Sequence, residues 1–223
     1  MFSKELNEKL DRYHLLNHPF YKYFWNEGKL TREIIKDYAE QYYQHVKAFP
    51  RYISATHSIC DDIEKRKILL ENLQDEENKD FDHPKLWKNF ALAMGADKKK
   101  IEDIKPDWFT KDMIDNFFAQ ARSSYAEGLA SLYTYERQIP EIAETKIQGL
   151  KKHYGVNSKE GLQFFEAHKS ADVHHRAECE KLLDSLSKEE QEKAEKASVL
   201  TARYLWNFLS GMTTKHKLQV AAA

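Results

Sequence analysis

Three side chains of types that commonly bind metals recur at helical spacing in the second half of the sequence. His168, Asp172 and His175 are separated by four and then three residues. At 100° per residue, these offsets place all three on one helix face, within about 60° of arc. A single metal ion could therefore contact all three. The alternative is a solvated face with incidental histidines, or a histidine that the acid holds for structural reasons.

Two further regions supply side chains that could complete such a site. Glu76 and His83 flank an expected helix end, where the chain can turn and two side chains can converge. Glu136 follows an aromatic stretch, and an acid on an inward face there needs a partner, for which Arg137 or a metal could serve. Three carboxylates and three histidines form a coherent set for two divalent ions. Mixed oxygen and imidazole ligands suit iron or manganese, and six ligands on two ions leave positions open for dioxygen.

The elements that must position these residues are expected to be helices. Only 7 Gly and 5 Pro occur in 223 residues, which favours an all-α fold. We predict one bundle of about seven to eight helices over residues 1–223, with residues 1–2 and 212–223 as tails. The predicted helices include one over Ser3–Leu16, one that Thr31 caps and Pro50 bends or interrupts, one over Lys111–Gln138, and a last one from Ser187 to near Gly211.

Charge and cysteine content restrict the class of protein. The 35 basic and 36 acidic residues are mixed along the chain, so we expect neither nucleic acid nor a membrane as a partner. Cys60 and Cys179 are far apart and form no CxxC motif, which fits a reducing compartment. No signal peptide and no apolar run of 18 residues is apparent. We expect a protein of the bacterial cytoplasm, and the sequence leaves open export by a dedicated secretion system.

Four stretches of the chain resemble one known family. Residues 38–50, 75–78, 132–140 and 171–175 are similar to the CADD family, the Chlamydia proteins associating with death domains. This family belongs to the haem-oxygenase-like superfamily, together with TenA and pyrroloquinoline-quinone synthase, and the resemblance implies a bundle of seven to eight helices and a homodimer. Its two-metal ligands match residues of this chain one for one: Glu76, His83, Glu136, His168, Asp172 and His175.

The resemblance also implies a reaction. CADD-like proteins are understood as self-sacrificing 4-aminobenzoate synthases, in which two metal ions (iron, manganese or both), dioxygen and reductant excise a ring from a tyrosine of the protein, and a lysine gives the amino group. By context, the tyrosine corresponds to Tyr21 and the lysine to Lys146. Tyr43 and Tyr135 match other aromatic residues near the family's metal site, as candidates for electron transfer or an alternative ring. Most tyrosines in helical proteins, however, serve packing, and most lysines are solvated.

The sequence supports three other functions less well. The family's name suggests binding of host death-domain proteins, but no segment carries that activity residue by residue. Thiamine hydrolysis as in TenA needs a nucleophilic cysteine, and neither Cys60 nor Cys179 has a visible activating group. Ring oxidation without a metal, as in the quinone synthase, is disfavoured by six intact ligands.

Overall fold

The chain folds into α-helices connected by short turns, as its composition predicts. The computed structural model describes residues 1–79 and 82–220, except for the side chains of residues 170–174. Over these residues it contains no strand, and its α-helices are α1 Phe2–Leu10, α2 Arg32–Ser58, α3 Ile63–Glu76, α4 His83–Ala93, α5 Trp108–Ser123, α6 Tyr125–Glu136, α7 Ile139–Tyr154, α8 Lys159–Asp184 and α9 Lys188–Lys215. A six-residue π-helix, Phe20–Trp25, precedes α2.

Helix starts follow the capping residues of the sequence. The side chain of Thr31 accepts a hydrogen bond from the backbone N–H of Ile34, and Ser158 caps α8 in the same way. Ser187 and Glu190 form a reciprocal capping box at the start of α9. These starts confirm the predicted ones, because a side-chain oxygen satisfies an N–H group that the first turn leaves unpaired.

The predicted single helix over Lys111–Gln138 is wrong. Ser124 is extended, with φ −154° and ψ 163°, and its side chain accepts a hydrogen bond from the backbone N–H of Glu127. A serine at an N-cap thereby begins a new helix, α6, and the apolar periodicity on either side did not reveal the break.

Three other predicted boundaries also need correction. The first helix ends at Leu10 and gives way to 3₁₀ turns over Asp11–Tyr13 and Leu15–Asn17. Helix α2 continues through Pro50 without interruption, and Phe49, Pro50 and Tyr52 are buried. Helix α9 continues past Gly211 to Lys215, and Met212, which was expected in a tail, is fully buried.

Helix α6 lies at the centre of the bundle, in contact with α2, α5, α8 and α9. Almost every residue from Ala126 to Glu136 is buried, as expected for a helix that is covered on all sides. Gly128 permits close packing there, because a Cβ at this position would clash with the side chain of Thr56 on α2. The bundle therefore places Glu136, at the end of α6, in the interior. No described helix is both long and apolar enough to span a bilayer.

Candidate metal centre and lysine pocket

Helix ends and the middle of α8 bring the predicted metal ligands into the interior. Glu76 is the last residue of α3, His83 the first of α4 and Glu136 the last of α6. His168 and His175 lie two turns apart on α8. All five side chains are buried. The side chain of Asp172, the sixth predicted ligand, lies outside the described residues.

Three of these residues form a compact group. One ligand atom each from Glu76, His83 and His168 lies within 4.8 Å of the other two. The Nδ1 atom of His83 is 3.0 Å from Oε2 of Glu76, and the rings of His83 and His168 are 4.1 Å apart. Buried carboxylate and imidazole donor atoms that converge on one point in this way fit a metal ion between them.

The tautomer of His168 is fixed by the backbone. Its Nδ1 lies 2.8 Å from the carbonyl oxygen of Phe164, which can only accept a hydrogen bond, so Nδ1 carries the proton. Nε2 then has the lone pair that a metal requires. Burial holds the pKa of His168 well below its usual value, and the positive charge on a protonated His83 acts in the same direction. His168 is therefore neutral, the form that binds metals.

Glu136 is held at both carboxylate oxygens. Nδ2 of Asn72 donates to Oε1 over 2.7 Å, and Sγ of Cys179 lies 3.8 Å from Oε2. Burial raises the pKa of Glu136 to about 8; Asn72 opposes this shift and the nearby carboxylate of Glu76 adds to it. A nearby cation would remove the cost of ionising this buried group. Neither Asn72 nor Cys179 was identified from the sequence as a partner of Glu136.

The remaining histidine ligand candidate has an acidic neighbour of its own. Nε2 of His175 lies 3.0 Å from Oδ2 of Asp75, a half-exposed residue one position before Glu76.

For His83, burial lowers the pKa, but the charge and hydrogen bonding of Glu76 outweigh this effect, and the pKa is raised. The described site thus combines carboxylates and imidazoles, a donor set that fits iron or manganese better than a thiolate-bound zinc.

Lys146, on α7, is buried in a pocket of aromatic rings from other helices. Its Nζ donates a hydrogen bond to Oη of Tyr38 over 2.7 Å. It also lies 5.0 to 5.9 Å from the centres of five rings: Tyr21, Tyr38, Tyr42, Trp87 and Phe165. The burial lowers the pKa of Lys146 to about 7. Lys146 therefore differs from most lysines on helices, whose amino groups are solvated.

Tyr38 connects this lysine to Tyr21. The Oη atoms of Tyr21 and Tyr38 are 3.1 Å apart, so Lys146, Tyr38 and Tyr21 form a continuous hydrogen-bonded row. Burial raises the pKa of both phenols. Tyr38 was not among the predicted site residues, although it lies within the stretch that resembles the CADD family. The signal that the sequence offers is its position seven residues before His45, a spacing that places both residues on one face of a helix.

The two other predicted tyrosines lie in different surroundings. Tyr135 lines a narrow cavity, with room for roughly one water-sized molecule, together with Tyr42, Lys146 and His168. Tyr43 faces away from this cavity, and its Oη donates to Oε1 of Glu102 over 2.7 Å. Consecutive residues on a helix point about 100° apart, so Tyr42 lines the cavity and Tyr43 does not.

The fold and the buried carboxylate–histidine group define a helical-bundle metalloprotein. The family model described as "Iron-containing redox enzyme" matches residues 36–206, and the chain belongs to this family. A 4-aminobenzoate synthase from Chlamydia muridarum is 41% identical over 209 residues, which cover 93% of this chain and 88% of that protein. A 4-aminobenzoate synthase from Nitrosomonas europaea is 38% identical, over 95% of this chain and 90% of its own.

A solved structure supports the predicted fold. A domain with a haem-oxygenase-like fold from Shewanella denitrificans superposes with a TM-score of 0.80 at 16% identity, over 96% of this chain and 91% of that one. The all-α, haem-oxygenase-like prediction is thereby confirmed. The names of the two synthases agree with the predicted enzyme class and give no support to the alternative of death-domain binding.

Proposed function

We propose that this chain is a 4-aminobenzoate synthase that takes the aromatic ring of its product from Tyr21 and the amino group from Lys146. The observation that carries this proposal is the hydrogen-bonded row of Lys146, Tyr38 and Tyr21, beside a cavity that His168 also lines. The two synthases at about 40% identity, whose alignments cover nearly the whole chain, support the same reaction.

The metal cofactor is proposed to be a pair of iron or manganese ions. Glu76, His83 and His168 would hold it together with Glu136, His175 and Asp172. Bound there, the pair would use dioxygen and a reductant to oxidise a phenol, chemistry that amino-acid side chains do not supply. The buried site keeps bulk water away from the reaction.

Lys146 is proposed to act as an uncharged amine. Only the neutral form has a lone pair for forming a bond to carbon, and a pKa of about 7 makes this form abundant near neutral pH. Its hydrogen bond to Tyr38 and the surrounding rings hold Nζ in one place. Nζ is 5.9 Å from the centre of the Tyr21 ring, so the amine and the ring must move closer together before a bond can form.

Tyr21 is proposed to remain a phenol until it is oxidised. Burial raises its pKa, so it does not ionise at neutral pH. Oxidation of the ring makes the hydroxyl strongly acidic, and Tyr38 then lies 3.1 Å away to receive the proton. The same hydrogen bond orients the Tyr21 ring beside Lys146.

The proposal is tested on pure metal-free protein supplied with iron(II) or manganese(II), reductant and oxygen. We expect at most one 4-aminobenzoate per chain, a matching mass loss confined to Tyr21, and ¹⁵N in the product when the protein carries ¹⁵N-lysine. A Tyr21→Phe variant should form no product. The control is Tyr43→Phe, whose hydroxyl is bound to Glu102 outside the cavity and which should retain product formation. Normal product from Tyr21→Phe would contradict the assignment of the ring.

A further inference from the structure

Trp87 on α4 is in contact with both the metal side and the tyrosine side of the site. Its side chain is fully buried, and its ring lies 4.8 Å from the ring of Phe164, which in turn lies 4.0 Å from that of His168. In the other direction, the Trp87 ring is 4.9 Å from Tyr42 and 6.1 Å from Tyr38. Among the described residues, Trp87 therefore bridges the candidate metal ligands and the phenols.

We propose that Trp87 is an electron relay, which carries the oxidising equivalent from the metal centre to the pair of hydroxyl-linked tyrosines, Tyr38 and Tyr21. This inference rests on the function proposed above, since it requires an oxidised metal centre as the electron acceptor. It assigns to Trp87 a role beyond packing.

The chemistry of the two neighbouring rings favours Trp87 over Phe164 as the ring that is oxidised. Indole and phenol lose an electron far more readily than the benzene ring of phenylalanine, so Phe164 can fill the gap but not hold the charge. The Nε1–H group of Trp87 donates to the carbonyl oxygen of Ala39 over 2.8 Å. A backbone carbonyl is a hydrogen-bond acceptor but a very weak base. Oxidised Trp87 would thus keep its proton and transfer electrons only.

The proton moves at the other end of the relay. One electron passes from Trp87 to the metal centre, and one electron from Tyr21, through Tyr38, returns Trp87 to its resting state. The hydroxyl proton of Tyr21 moves to Oη of Tyr38, and the proton of Tyr38 moves to the lone pair on Nζ of the uncharged Lys146, so the hydrogen bond between Nζ and Oη reverses its direction. The products are a neutral Tyr21 radical, a protonated Lys146 and a metal centre reduced by one electron, so charge and atoms balance. Lys146 must release this proton before its amine can form a bond to carbon.

Lys146 also influences the relay electrostatically. Its Nζ lies 5.0 Å from the centre of the Trp87 ring, within the low-dielectric interior. An uncharged amine permits a positive charge on Trp87, whereas an ammonium group at that distance opposes it. The same neutral lysine that accepts the proton therefore allows the electron to pass.

The experiment compares two buried tryptophans. Trp87→Phe removes the relay and keeps an aromatic ring. Trp25→Phe is the matched control, because Trp25 is equally buried and contacts Tyr21 and Tyr38 but has no described ring contact with Phe164 or Tyr42. Mass spectrometry monitors the rate at which the Tyr21 ring is lost. We expect this rate to fall roughly tenfold or more in Trp87→Phe and to stay within about threefold of the wild-type rate in Trp25→Phe.

A second measurement separates electron transfer from folding. In a protein whose other tryptophans, Trp25, Trp108 and Trp206, are phenylalanine, fluorotryptophan at position 87 keeps the shape of the ring and makes it harder to oxidise. We expect slower loss of the Tyr21 ring with each added fluorine. In a Tyr21→Phe variant of the full chain, oxidised Trp87 has no Tyr21 hydroxyl to oxidise and should accumulate as a radical. The EPR spectrum of this radical in freeze-quenched samples should narrow when the tryptophan rings are deuterated.

The outcomes distinguish this inference from the proposed function. If the wild-type protein forms 4-aminobenzoate, and neither Trp87→Phe nor fluorination changes its rate, the relay is overturned and the synthase stands. If the wild-type protein leaves Tyr21 intact and forms no product, the proposed function fails and the relay fails with it.

Discussion

Replacing Lys146 by methionine should make the protein more stable and abolish its product. Methionine matches the length and shape of the lysine stem without an ionisable group. Each pKa unit corresponds to about 1.4 kcal/mol. The fall of the pKa of Lys146 from 10.5 to about 7 thus costs the folded state about 4 to 5 kcal/mol at pH 7. The variant loses the hydrogen bond to Tyr38, worth about 1 kcal/mol. The expected net gain is about 3 kcal/mol.

The gain should depend on pH with a defined sign. Between pH 7 and 10.5 the unfolded chain binds a proton at Lys146 and the folded chain does not, so the stability of the wild-type protein rises with pH at up to about 1.4 kcal/mol per pH unit from this group. The variant lacks this contribution. Its advantage should therefore be greatest at pH 7 and below and disappear near pH 10.5, where only the lost hydrogen bond remains.

The assay is urea unfolding of metal-free protein at several pH values, with thermal unfolding as a check. At pH 7 the midpoint temperature of Lys146→Met should rise by about 6 to 12 °C. Lys151→Met, at an exposed lysine on the same helix, is the control and should change stability by less than about 0.5 kcal/mol. A Lys146→Met protein that is less stable than wild type at pH 7, or whose advantage does not vary with pH, would refute the view that this lysine is buried at a cost.

Three further predictions concern the metal centre and the buried histidines. Asn72→Ala removes the donor to Glu136, so titration with manganese(II) should show about 10- to 100-fold weaker binding, and unchanged affinity would contradict a positioning role. Adding manganese(II) should raise the unfolding temperature of the wild-type protein and do so less in Glu76→Gln; equal shifts would place the ion elsewhere. Burial lowers the pKa of His45 to about 3 and that of His18 to about 4, from 6.5. Since the unfolded chain binds protons below pH 6.5 and the folded chain does not, acidification to pH 5 should cost the metal-free protein about 2 kcal/mol per histidine, and His45→Phe should lose about half of this dependence.

Much of the fold could be predicted because its signals are local. Capping side chains act within one turn, so Thr31, Ser158 and Ser187 mark helix starts in the sequence. The break at Ser124 was missed because the apolar periodicity continues across it, and serine also occurs within helices. The end of α9 was placed too early, because the burial of Met212 depends on partners that are distant in the chain.

The sequence by itself determined the chemistry that this protein can perform: the ligand types, the helical spacing of His168 and His175, and an all-helical frame for them. Only the tertiary structure decided which groups meet. Tyr42, and not Tyr43, lines the cavity, and Tyr38 joins Lys146 to Tyr21. The physical reason is that spacing along a helix fixes the direction of a side chain relative to its own axis, whereas its neighbours depend on how helices far apart in sequence pack together.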